Sequence, residues 1–181
     1  MPPLRNTIAW AAAASGVLAA SSVSAEVAGA GSGGFEVREQ AHIGVPPDAV
    51  YAALLSPKRW WDPKHTYSGD ATNLTLDAKA GGCWCESMPG GGSVEHMSVV
   101  YLAPGKAIRF RGALGPLQAM GVVGSLTIKL TAAGSGTDLA LTYAVGGYSK
   151  DGFADVSRAV DSVLGAQVTR LQKLLTTGNA M

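Results

Sequence analysis

The chain has 181 residues, 47% of them hydrophobic and only 15% charged, with a formal net charge of +1. This composition excludes a disordered polyelectrolyte, which combines high charge with few apolar residues. It also argues against a nucleic-acid binder, which carries a basic excess to grip phosphates.

The first segment reads as an address. Arg5 precedes an apolar run from Ile8 to Ala20 in which Ser15 is the one polar side chain. That run is too short to cross a bilayer as a helix, which needs about 20 residues. Val23-Ser24-Ala25 then offers small residues for cleavage before Glu26. No cysteine follows the run to take a lipid anchor, and no Arg-Arg pair precedes it. The expectation is a signal peptide over 1–25 and export to the periplasm or beyond, with no stable membrane insertion after cleavage. Loss of Arg5 would bring the 14 basic residues level with the 13 acidic ones. Gly29 to Gly34 reads as part of a flexible leader over 26–34, leaving a single domain over 35–177.

Phe35 to Ile43 alternates loosely and predicts a first strand. Val45-Pro46-Pro47-Asp48 stops it and starts a helix, because proline fits a first helical turn where its missing N–H is harmless. Val50, Tyr51, Leu54 and Leu55 follow at helical spacing, and Pro57 ends the helix by restricting Ser56. Trp60 to Asp70 is aromatic, prolyl and polar, which suits a short irregular or helical cap. Six strand-like runs come next: Leu74–Asp77, Cys83–Glu86, Ser93–Leu102, Ala107–Ala113, Val122–Thr131 and Asp138–Val145. Gly81-Gly82, Pro89 to Gly92 and Pro104-Gly105 separate several of them, as expected for antiparallel hairpins. A closing helix is predicted from Gly152 to Thr176, with Val156, Val160, Val163, Leu164, Val168, Leu171 and Leu175 as its apolar stripe.

This order, with Val-Pro-Pro-Asp leading into Ala-Val-Tyr, Gly81-Gly82 opening a strand and a closing amphipathic helix, resembles the START-like or SRPBCC superfamily over Phe35 to Thr177. It looks most like the polyketide cyclase/dehydratase-type branch, with the activator-of-chaperone type beside it. The resemblance implies an α+β helix-grip fold: a curved antiparallel sheet of about six to seven strands around the long C-terminal helix, with a short helix after the first strand. It further implies a cavity between sheet and helix for a hydrophobic or aromatic ligand. It does not imply a reaction, because one fold hosts many functions.

Candidate residues follow from chemistry and place. Trp60 and Trp61 stand where the short helix hands over to the sheet, able either to stack on a ligand or to close the core. Leu114 to Met120, with Leu117 and Met120, is an apolar connection that suits a lid, since connections are ordinarily polar and exposed. Gly165 inside the long helix leaves room for a ligand or for the sheet. In Cys83-Trp84-Cys85-Glu86 the two cysteines share one face of a strand, and Trp84 with Glu86 takes the buried one. Burial there would raise the Glu86 pKa and suit it to general acid–base work.

The register of the following hairpin stays open. With Glu86 opposite Ser93, Cys83, Cys85 and His96 share a face; slipped by one residue, His96 lies beside Trp84 and pairs with Glu86. Three soft ligands fall short of a structural zinc site, so no metal or other cofactor is expected. A Cys83–Cys85 disulfide suits an oxidising compartment but requires a kinked strand. His42 and His65 read as surface or capping histidines, and Arg109 and Arg111 belong on a solvated face. No Ser-His-Asp signature, phosphate loop or dinucleotide fingerprint is present.

The sequence therefore points to an exported binder of a small hydrophobic or aromatic molecule, monomeric or weakly dimeric, using Trp60, Trp61, Trp84, Phe110, Leu117, Met120 and Tyr143. The alternative is a cyclase/dehydratase-like enzyme in which Glu86 or His96 moves a proton. A module serving an intracellular chaperone is weakened by the export signal.

Overall fold

The computed structural model describes residues 23–180. Eight strands form one open antiparallel sheet: β1 Val23–Gly31, β2 Gly34–Ile43, β3 Leu74–Leu76, β4 Cys83–Ser87, β5 Ser93–Ala103, β6 Ala107–Gly112, β7 Gly121–Ala133 and β8 Gly136–Tyr148. Their order across the sheet is β1-β2-β8-β7-β6-β5-β4-β3. Two α-helices accompany them, α1 at Pro47–Leu54 and α2 at Ala154–Thr177. This is the expected α+β helix-grip arrangement.

Alternation decides the inner face. Leu126, Ile128 and Leu130 of β7 and Leu139, Leu141, Tyr143 and Val145 of β8 are buried, while Ser125, Lys129, Ala140 and Ala144 between them are exposed. An antiparallel sheet with one covered face produces this period of two. Helix α2 covers it. With 24 residues it is roughly 36 Å long, and Leu164, Val168, Leu171 and Leu174 bury one stripe against the sheet. It stops at Gly178, whose φ of 79° closes the last turn in the left-handed region that glycine tolerates.

The sequence reading errs at the N-terminal edge. The sheet has eight strands rather than six to seven, and the added one is β1. Residues 26–31 are not a free leader: Glu26 pairs with Arg38, Val27 with Val37 and Gly31 with Gly34, and Gly34 opens β2. Among the described residues the sheet thus already includes Val23 to Gly31, ahead of Phe35. Residues 1–22 of the expected signal lie outside the described residues. Strand β1 escapes recognition because Val-Ser-Ala-Glu-Val-Ala-Gly-Ala-Gly has small side chains and buries only Val23 and Val27 in part.

Gly165 explains how α2 lies so close. A Cβ there would come within 3.2 Å of Glu39 Oε2 on β2 and 3.4 Å of Ala25 Cβ on β1. The glycine makes room for the sheet rather than for a ligand. Among the described residues, no helix is long and apolar enough to cross a membrane.

Candidate functional site

The segment after α1 builds the first wall. Short 3-10 turns at Pro57–Arg59 and Pro63–His65 fold the chain back onto the helix. The Asp62 N–H donates to Gln167 Oε1 at 2.8 Å, and Arg170 Nε donates to the Trp60 carbonyl at 2.9 Å. Trp60 and Trp61 are both buried, but they do different things. Trp60 Nε1 donates to the Ala53 carbonyl at 3.0 Å and lies behind the site, whereas Trp61 Nε1 donates to the His65 carbonyl at 3.0 Å and its side chain lines a cavity.

That cavity has a volume of about 480 Å3 and lies beside the first half of α2, not along its whole length. Val156, Val160, Val163 and Leu164 form its helical wall. Leu114, Pro116 and Leu117 close the opposite side from the 3-10 turn at Gly115–Ala119. This turn folds back as expected of an apolar connection, and hydrogen bonds hold it. Leu114 N–H donates to the Tyr143 hydroxyl at 3.1 Å, Tyr67 Oη donates to the Gly115 carbonyl at 2.9 Å, and Gln118 Nε2 donates to the Glu95 carbonyl at 2.9 Å. The polar parts of the wall are Lys64, His65, Thr66, Tyr67 and His96, and no carboxylate lines it.

Several expected contacts are elsewhere. Trp60, Trp84, Phe110, Met120 and Tyr143 do not line the cavity. Trp84 packs edge-on against Trp61 with ring centres 4.9 Å apart and against Phe110 at 5.5 Å. These rings pack against one another between sheet and helix instead of facing the cavity. Tyr143 is wholly buried and serves the Leu114 turn through its hydroxyl. Of the predicted apolar contacts, Trp61 and Leu117 reach the cavity.

The polar centre is the pair Glu86 and His96. Near the hairpin tip Ser87 pairs with Ser93, Glu86 with Val94 and Cys85 with Glu95, which is the slipped register. Beyond it the ladder shifts: Trp84 pairs with Met97 and Cys83 with Ser98. One residue of β5, His96, is left over in a β-bulge, so His96 and Met97 both turn inward and are buried. Gly112 accommodates the bulge: it has φ of 153°, and a Cβ there would lie 2.9 Å from the His96 carbonyl oxygen.

Glu86 is completely buried and completely engaged. Tyr67 N–H donates to its Oε2 at 3.0 Å, Ser68 N–H to its Oε1 at 2.5 Å, and His96 Nε2 lies 2.9 Å from Oε2. Desolvation pushes its pKa up, but the hydrogen bonds from Ser68, Tyr67 and His96 outweigh that and hold it below the ordinary carboxylate value. The raised pKa expected from burial alone is therefore wrong. For His96, desolvation lowers the pKa more than the Glu86 carboxylate raises it. An ionised carboxylate only accepts, so Nε2 carries the proton and Nδ1 is the acceptor that the ring offers.

Cys83 and Cys85 form a disulfide, with Cα atoms 5.3 Å apart. Extended residues two apart would be separated by about 6.6 Å, so the strand is kinked as such a bond demands. Among the described residues no group of three or more His, Cys, Asp or Glu side chains could hold a metal. His42 is exposed and pairs with Asp138 at 2.8 Å, while His65 is exposed at the cavity wall.

Sequence reasoning missed Glu39. It belongs to the inward series Phe35, Val37, Glu39, Ala41 and Ile43 of β2, is completely buried, and neither carboxylate oxygen has a partner. Desolvation first, and the nearby Asp161 second, push its pKa up to about 8. The signal was a glutamate interrupting an otherwise apolar period of two.

Comparison with known proteins agrees with this architecture. Residues 34–176 match the family described as polyketide cyclase / dehydrase and lipid transport. No curated protein matches the chain. Among solved structures, a conserved protein of unknown function from Enterococcus faecalis superposes with a TM-score of 0.60 at 14% identity, covering 84% of this chain and 77% of that one. A Nitrosomonas europaea protein gives 0.58 at 19% identity, covering 81% and 97%. The Aha1 dimer from Colwellia psychrerythraea gives 0.53 at 18%, covering 79% and 97%. At these identities the likeness is one of fold.

Proposed function

The chain belongs to the polyketide cyclase/dehydrase and lipid transport family, and we propose that it binds a small hydrophobic or aromatic molecule in the cavity beside the first half of α2. The observation that carries this reading is the wall itself: a surface of Val, Leu, Pro and Trp carbon in which His96 is the one buried polar side chain. A volume of about 480 Å3 falls in the range of roughly 300–1,000 Å3 typical of small-molecule sites. The ligand's apolar body would lie against Val156, Val160 and Trp61, with a hydrogen-bond donor directed to His96. The signal-like first 25 residues support export, so the ligand would be met in the periplasm or outside the cell by a monomer or weak dimer.

A second reading is favoured by the Glu86–His96 pair. A carboxylate that fixes the imidazole tautomer leaves a neutral base at the cavity, suited to removing a proton next to a ligand carbonyl. This would be a cyclase/dehydratase-type reaction with His96 as base and Glu86 as its positioning residue.

Titration with 1-anilinonaphthalene-8-sulfonate tests the binding reading. Val160→Trp fills the cavity from α2 and is expected to weaken the probe by about tenfold or more, roughly 1.4 kcal/mol, with an unchanged circular dichroism spectrum. Equal affinity in the filled and open proteins would overturn it. His96→Gln separates the two readings: binding would fall only a few-fold, whereas turnover of a bound carbonyl compound would be abolished.

A further inference from the structure

We propose that the Cys83–Cys85 disulfide is a redox-active centre that exchanges with thiols of its surroundings, and that its oxidised form is what keeps His96 in the cavity wall. The inference deepens the ligand-binding reading but stands on separate geometry.

Three observations coincide on β4. The bond joins residues two apart and draws their Cα atoms to 5.3 Å, against about 6.6 Å in an extended strand. The β4–β5 ladder breaks between Trp84 and Cys85, inside the span of the covalent tie. The residue left over by that break is His96, whose partner Glu86 directly follows Cys85.

Strand β6 fixes β5 through Met97 opposite Gly112, Ser98 opposite Arg111 and Val99 opposite Phe110. If β4 extends and the ladder closes one-to-one from Trp84 opposite Met97, Cys85 comes to face His96 and Glu86 to face Glu95. Paired residues of an antiparallel ladder share a face, so His96 would turn to the outer surface with Cys85. Reduction therefore replaces a bulged hairpin holding His96 inward with a regular one carrying it outward.

Access and chemistry permit the exchange. Both cysteines are half-buried rather than enclosed. A thiolate attacks one sulfur, forming a mixed disulfide and releasing the other cysteine as a thiolate. A second thiol displaces the first cysteine, so the small thiols leave as their disulfide and two electrons and two protons end on Cys83 and Cys85. The co-reactant is a low-molecular-weight or protein thiol.

The test equilibrates the native protein in glutathione buffers of graded ratio, traps thiols with iodoacetamide and counts adducts by mass. In parallel, the His96 imidazole is followed by NMR, assigned through His96→Gln. The expected result is conversion of the native protein at millimolar thiol, with the His96 resonances shifting and its pKa rising toward the ordinary histidine value as the ring leaves the interior. The 1-anilinonaphthalene-8-sulfonate affinity would fall several-fold on reduction, and the Cys83→Ser, Cys85→Ser double variant would match the reduced protein. A bond that resists native reduction but yields in denaturant, or full reduction that leaves the His96 signals unmoved, overturns the proposal. Loss of probe binding in both redox states would count against the ligand reading alone, because the thiol count and the His96 signals do not depend on it.

Discussion

Two glutamates on the inner face of the same sheet have met opposite fates. Glu86 on β4 and Glu39 on β2 are both completely buried. Glu86 receives two backbone N–H groups and an imidazole, and its pKa falls; Glu39 receives nothing, and its pKa climbs to about 8. Burial penalises a carboxylate in either place, so the difference lies in the donors that local chain geometry supplies. At Glu86 the irregular segment after Trp61 turns its amides inward. At Glu39 the neighbours are the tightly packed α2 backbone at Gly165 and the acid Asp161. One carboxylate belongs to a polar centre beside a cavity, and the other is a buried proton holder packed against α2.

That contrast can be broken by experiment. The largest effect is expected from Glu86→Ala, which strands the amides of Tyr67 and Ser68 and should cost about 3 kcal/mol in urea unfolding; a loss below about 1 kcal/mol would mean the donors find water instead. Next comes the pH dependence. Glu39 has its folded pKa raised from 4.5 to about 8, so its folded form holds a proton that the unfolded chain releases. Stability should fall as pH rises through that window, by at most about 1.4 kcal/mol per unit, and Glu39→Gln should flatten the decline. Glu86 and His96, both with lowered folded values, act in the other direction. Their contribution is present at neutral pH and is lost on acidification, beginning as pH falls through the unfolded histidine value. Thermal unfolding across pH in Glu39→Gln, Glu86→Ala and His96→Gln checks both slopes.

Smaller effects are expected at Gly165 and Asp138. Gly165→Ala gains about 1 kcal/mol of helix propensity but presses a methyl group against Glu39, and overpacking of this kind costs about 1–3 kcal/mol. A net loss of about 1 kcal/mol is expected, and it should vanish when Glu39 is also Ala, as a double-mutant cycle would show. The smallest effect belongs to Asp138→Ala. The exposed His42–Asp138 pair has nearly the same separation as the buried one, 2.8 against 2.9 Å, yet its removal should change stability by about 0.5 kcal/mol or less.

The fold was legible where side chains are large. Strands β2 to β8 and both helices carry apolar residues at periods of two or 3.6, and Gly or Pro marks most of their ends. Strand β1 was illegible because Ala, Gly and Ser bury little; it is held by pairing with β2, and only Val23 and Val27 pack in part against the core. At the site, the inward set of Trp84 and Glu86 follows from alternation. His96 could be narrowed to two registers and no further, because a bulge changes register within the strand and leaves no mark in a pattern of two. The low pKa of Glu86 was beyond reach for a different reason, since its donors are backbone amides of Tyr67 and Ser68, whose direction no side-chain pattern encodes.

The pairing of β2 with β8 also governs the order in which the molecule can form. Phe35 lies opposite Val145 and Ile43 opposite Thr137, so an early strand finds its main partner in the last one made. Contacts so distant along the chain close late and slowly, because the loop entropy is lost before the pairing repays it. The β1–β2 hairpin and the hairpins from β4 to β8 can assemble as they appear, but the other edge of Phe35 to Ile43 waits for its partner until about residue 148 exists. A nascent chain of this topology keeps one edge of its N-terminal hairpin open through most of its synthesis, so the sheet closes only when its last strand is made.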